Sequence, residues 1–253
     1  MSGPTKKDKQ LIPSMPLMVW SDLWPAAVHP SAKGWTEHLP PGMSVLLDET
    51  GEEAAQWMPV LTGHTVPGRG RVQCLGVCSQ ADTRAYQQQV FWHNPRIPLG
   101  SRESTAQQWV DTVQAQWSST WNEAQWQAHC LGFELQAHLD KPLWHLSTGT
   151  LRKLGIAAGL ASGARVTVIE EPIAALDSNS IRYLCQALDA LGEHMAGDPA
   201  SPRWVIVAHW EPLTGVTWDE VLVPPSLAQA CTQMQLEDQA ADCQSAYVQQ
   251  VLL

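Results

Sequence analysis

Two adjacent carboxylates, Glu170 and Glu171, close the apolar run from Val166 to Ile169 and are followed at once by Pro172. A mainly apolar run of this kind, broken only by Thr167, reads as a parallel strand buried on both faces, and its carboxyl end is the edge where open α/β sheets gather ligands. Acids delivered there suit metal-assisted or water-activating chemistry, although Glu171 before a proline also suits a simple strand end. A second run, Trp204 to Ala208, delivers His209 in the same manner. Upstream, Leu146, Ser147, Thr148, Gly149 and Thr150 stand directly before the helical segment Leu151 to Leu160. The free amides and positive dipole end of such a helix suit a phosphate, and Ser147 equally suits its N-cap. Asp177, after Ala174, Ala175 and Leu176, suits the cap of a helix beginning near Ser178.

A third strand, Val45 to Leu47, leads through Asp48, Glu49, Gly51, Glu52 and Glu53 into a helix over Ala54 to Leu61 that ends near Gly63. The placement is that of a phosphate-binding loop, but the residues are acids and alanines where phosphate calls for glycines, a lysine and a hydroxyl. A carboxylate about 5 Å from a phosphate charge repels it by roughly 3 kcal/mol at an effective dielectric near 20.

The elements that must hold these residues alternate. Strands over 166–169 and 204–208 frame a helix over Ile181 to His194, which predicts a doubly wound sheet. Prolines at 16, 25, 30, 40 and 41 divide the first part into short strands, and a further strand is expected from Val72 to Val77 after a plain Gly-Arg-Gly turn. From Ser101 to about His138 the chain turns Gln-, Ala- and Trp-rich, with Trp109, Val113, Trp117 and Trp121 four apart on one helical face, a pattern of packing rather than of a ligand box. The expected organisation is a disordered arm (1–14), an N-terminal β/core part (15–100), a helical subdomain (101–145), the C-terminal part of the α/β core (146–225) and a helical tail (226–253).

The order of LSTGT, VTVIEEP, AALD and VIVAH resembles the C-terminal half of an ABC-family nucleotide-binding domain: signature, Walker B strand with catalytic glutamate, D-loop and switch histidine. The fold this implies is α/β, an ABC-type P-loop NTPase-like core with a mostly parallel sheet, an N-terminal β segment and an inserted helical subdomain. By the resemblance Glu170 assists magnesium, Glu171 polarises the attacking water, and His209 is catalytic. Laid on the Walker A pattern, Asp48, Gly51 and Glu53 fall on its glycines, Ala54 on its lysine and Ala55 on its hydroxyl, so only Gly51 matches. Asn94 falls at the Gln-loop and Trp24 at the adenine-stacking aromatic. Glu170 departs from the family's aspartate by one methylene.

With 15 Lys and Arg against 25 Asp and Glu, the formal charge of −10 argues against nucleic acid as a partner. The longest weakly polar run, Leu154 to Ala164, is far short of the roughly 20 apolar residues of a spanning helix. Six cysteines without a dense framework suit a reducing compartment and no metal site. The resemblance implies a cytoplasmic chain, peripheral on the cytoplasmic face of a membrane, with transmembrane permease subunits and a second ABC ATPase as partners. ATP and magnesium are then held weakly or only at the partner's site. Three functions remain open: a pseudo-ATPase offering its signature to that partner, an active ATPase energising transport, and an ABC-shaped adaptor that uses no nucleotide.

Overall fold

The computed structural model describes residues 17–25, 33–48 and 52–225. The arm over 1–14, the tail over 226–253, Glu49 and Gly51 lie outside the described residues. Five strands, β3 (Gly42–Leu47), β6 (Val90–His93), β7 (Val166–Glu170), β8 (Trp204–His209) and β9 (Glu220–Leu222), form an all-parallel sheet in the order β6-β7-β8-β3-β9. Every residue of β7 and β8 is buried, which is why both read as mainly apolar runs, broken in β7 only by Thr167 before its terminal Glu170. A second sheet, antiparallel, has the order β2-β1-β4-β5, from β1 (Met18–Trp24), β2 (Trp35–Leu39), β4 (Arg69–Cys74) and β5 (Val77–Cys78).

The helix α1 (Glu53–Leu61) contributes to the core shared by the two sheets. Trp57 is 0% exposed, with its ring 5.7 Å from that of Trp24 and 5.1 Å from that of Trp35. The opposite face of the parallel sheet is covered by α5 (Thr148–Ala161), α6 (Ser178–Gly197) and the helices α3 (Ala106–Gln116) and α4 (Glu123–Gly132), which lie between β6 and α5 in the chain. Of the tryptophan stripe, Val113 and Trp117 are buried in this core and Trp109 and Trp121 pack against it. The regular helix stops at Gln116, so the stripe bends into the following turn.

The strand expected over 72–77 is instead two strands. Leu75 and Gly76 take positive φ values of 50° and 81°, so the chain reverses there into the hairpin of β4 and β5. Between α1 and β6 the short helix α2 (Thr83–Gln87) is capped by Asp82. Among the described residues no helix is long and apolar enough to cross a membrane.

Replacing Trp57 by alanine opens a void where the two sheets share α1. We expect a loss of about 3–5 kcal/mol of folding stability, read from the denaturant midpoint. Trp144→Ala, at a site 54% exposed, should change the midpoint little.

Candidate functional site

Asp48 follows β3 directly, and its N–H donates to the His209 carbonyl at 3.0 Å, continuing the β3–β8 ladder. Its side chain turns onto the N-terminus of α1. Oδ1 accepts from the Glu53 N–H at 3.2 Å and Oδ2 from the Ala54 N–H at 3.0 Å. The first amides of a helix lack intrahelical partners and carry its positive end. In this chain a buried carboxylate, 6% exposed, serves two of them. The sequence suggests that Asp48 acts by repelling phosphate across the loop; the structure instead places it on the amides that a phosphate would use. Ala54 is buried and Ala55 exposed, and neither brings a cation or a hydroxyl.

Glu170 ends β7 at 1% exposure, and each of its oxygens accepts a bond from protein. Oε1 accepts from the Trp92 indole N–H at 2.6 Å and Oε2 from Arg96 Nη1 at 3.0 Å. Arg96 Nη2 reaches Glu171 Oε1 at 2.5 Å, and Arg152 Nη2 lies 3.6 Å from Glu171 Oε2. Burial pushes the Glu170 carboxyl up to about 7; Trp92 and Arg96 pull it down, and Glu171 and Asp48 add to the push. Glu171 itself takes φ +46°, a left-handed conformation uncommon for a side chain of this type, and its N–H donates to the Ala208 carbonyl at 3.0 Å.

His209 is 6% exposed, and its Nδ1 lies 2.8 Å from the Glu211 carbonyl oxygen. The next residue, Trp210, is 58% exposed. Asp48, Ala54, Arg96, Glu170, Glu171, His209 and Trp210 line one pocket of about 490 Å³. The expected site residues of both halves of the chain thus do converge. Asn94 lies beside the pocket, not in its lining, and its Oδ1 accepts from the Arg96 N–H at 2.8 Å, shaping the turn that presents Arg96. Trp24 requires a correction: at 1% exposure, packed on Trp57, it is a core residue with no face for an adenine. Among the described residues no group of three or more acids, histidines or cysteines is placed to hold a metal ion.

The signature-like segment lies apart from that pocket, at the N-terminus of α5. Ser147 Oγ accepts from the Thr150 N–H at 3.1 Å, so the capping role read from the sequence is filled. Ser147 and Thr148 are exposed, while Leu146 and Thr150 are buried beneath them. A Cβ at Gly149 would meet the Ala175 carbonyl, and Arg152 Nη1 donates to the Ala174 carbonyl, so the loop after Glu171 is strapped to α5. Asp177 ends this loop and caps α6, accepting from the Ser180 N–H at 2.9 Å and lying 3.5 Å from Lys153 Nζ. The bonds from Ser180 hold its carboxyl down at about 2.

No family model matches the chain, and a comparison with curated proteins gives no match. Solved structures do match. An ATP-binding subunit of an ABC transporter aligns at 17% identity over 76% of this chain and 78% of its own, with a TM-score of 0.60. An ABC transporter ATP-binding protein from Pyrococcus furiosus aligns at 18% identity over 82% and 97%, with a TM-score of 0.61. The cbiO1 protein of Clostridium perfringens, part of the ABC transporter complex cbiONQ, aligns at 16% over 83% and 84%, with a TM-score of 0.58. The chain has the fold of ABC-transporter ATP-binding subunits. The ABC-type sheet accounts for the convergence of Asp48, Glu170 and His209, because β3, β7 and β8 are neighbours that end on one edge.

Sequence reasoning passed over Arg96, Arg152, Trp92 and Trp210. Only Arg96 carried a local signal, since it follows the Asn94-Pro95 turn at the expected Gln-loop.

The pH dependence of stability follows from Glu170. Its folded value, about 7, lies above the ordinary glutamate value of 4.5, so its contribution is fully present below about 4.5 and lost as pH rises through about 7. Wild type should lose stability relative to Glu170→Gln across that window, by on the order of 2–4 kcal/mol. Urea midpoints of both proteins measured from acid to neutral pH check the sign.

Proposed function

We propose that this chain is a degenerate ATP-binding subunit of an ABC-type transporter, a pseudo-ATPase whose own cradle does not hold ATP and whose signature end completes the site of a partner. The single observation that carries this reading is the Asp48 carboxylate bonded to the first amides of α1. A magnesium nucleotide does not fit the residues around it. Two of the first α1 amides are taken, Ala54 and Ala55 offer neither cation nor hydroxyl, and the acid pair faces arginines. No hydrolytic step is therefore assigned to Glu171 or His209 in this chain.

The trans role is supported by the contrast between two helix ends. At α1 two amides are closed by a carboxylate from within, whereas at α5 the exposed residues Ser147 and Thr148 and the half-buried Gly149 carry no acid. An anion brought by another chain meets the positive end of α5 without a competing charge. The partners we propose are an intact ABC ATPase, paired head to tail, and a transmembrane permease subunit that holds both at the cytoplasmic face of the membrane. A second groove of about 460 Å³, rimmed by Trp144 and Ile97 at 54% and 51% exposure, is a surface suited to such a contact.

Thr148 provides a cleaner probe than Gly149, whose replacement would collide with Ala175. Thr148→Glu puts a carboxylate on the exposed first turn of α5, where it favours the helix itself. In the complex that co-purifies with this chain from its native membrane, we expect ATP turnover to fall about tenfold or more, since one charge at close range weakens phosphate binding by a few kcal/mol. Unchanged turnover would replace this reading with that of a nucleotide-independent adaptor.

A further inference from the structure

We infer that Arg96 is the built-in cation of this pocket: its guanidinium stands between Glu170 and Glu171 where a divalent metal ion would stand, and it determines that the site refuses one. The inference rests on the reading of the pocket given above and adds the residue responsible for its selectivity.

A carboxylate as enclosed as Glu170 is costly unless a charge or several donors compensate it. A metal ion is one solution, and this chain carries another. The turn after β6 is fixed by Pro95, by the Asn94 side chain accepting from the Arg96 N–H, and by the Ile97 N–H bonded to the Asn94 carbonyl at 3.0 Å. It delivers a planar fork whose two terminal nitrogens each take one carboxylate, at 3.0 Å and 2.5 Å. Each of the four oxygens faces a donor: Glu170 has one on Trp92 and one on Arg96; Glu171 has one on Arg96 and one 3.6 Å from Arg152.

Magnesium demands near-octahedral oxygen ligands at about 2.1 Å and does not share them readily with guanidinium donors. To enter, it would have to displace Arg96 and leave that charge beside its own. The acid pair thus has a different task from catalysis. Through Arg96 it fastens the turn after β6 to the end of β7, and through Arg152 it fastens the loop after β7 to α5. Glu171 keeps its left-handed backbone, φ +46°, within this clamp.

The test uses the full chain without nucleotide, with Mn²⁺ as a paramagnetic probe at about pH 8, where free carboxylates are ionised. Wild type should leave the Mn²⁺ signal unchanged up to about millimolar concentration, whereas Arg96→Ala should bind the ion at least about tenfold more tightly. Arg96→Lys, which keeps a cation without the fork, should stay near wild type, and Glu171→Gln added to Arg96→Ala should remove the acquired binding. Circular dichroism confirms that each variant is folded. Binding of Mn²⁺ by wild type as strong as by Arg96→Ala would overturn the inference, and so would a folded Arg96→Ala that ignores the ion. Either failure is separate from failure of the trans role, which is read from a partner's turnover with Thr148→Glu and needs no metal in this pocket.

Discussion

The first amides of α1 need an anion, and in this protein the anion is Asp48. A helix N-terminus buried at the end of a parallel strand cannot turn to water for all its unpaired N–H groups. A phosphate loop leaves those groups for a ligand and tolerates their cost when empty. Here a carboxylate from the strand end satisfies two of them within the fold. The binding energy that a phosphate would gain is already spent on the protein's own stability, and displacing Asp48 would break both of these hydrogen bonds. Asp48 thus ties the end of β3 to the start of α1.

The same substitution of internal groups for ligand groups recurs across the pocket. Arg96 meets the acids as a cation, and His209 turns Nδ1 back to the Glu211 carbonyl. What remains open is the N-terminus of α5, where exposed Ser147 and Thr148 sit on a base made rigid by Arg152 and the close approach of Gly149 to Ala175. In the function we propose, this open end is the one that serves a partner's site.

The parallel sheet was legible because its central strands are buried on both faces and so are mainly apolar, with only small hydroxyl side chains, Ser44 and Thr167, within them. Glu170 and His209 were placed by the ends of those runs, and Ser147 and Asp177 by the capping preference of their side chains. Asp48 was legible as an acid in a phosphate-loop position but not as a cap, since repulsion of a ligand and capture of amides begin from the same charge and differ only in where the side chain turns. The clamp was hidden for a different reason. Arg96 and Glu170 are 74 positions apart, and no local pattern links them. Trp24 was misplaced because an aromatic residue near the start of the chain reads alike whether it faces a ligand or the cluster with Trp57; only the packing of the two sheets decides. Likewise the turn at Leu75 and Gly76 fell inside an apparently continuous strand pattern.

The central claim, that this chain's own site is occupied by its own residues, is tested most directly by calorimetric titration of the full chain with magnesium ATP at physiological salt. The account predicts an affinity no better than about millimolar, equivalent to about −4 kcal/mol, because the amides, the acids and the missing lysine leave nothing to hold a triphosphate. A dissociation constant near the micromolar range, about −8 kcal/mol, would contradict it and establish a working nucleotide site in this chain.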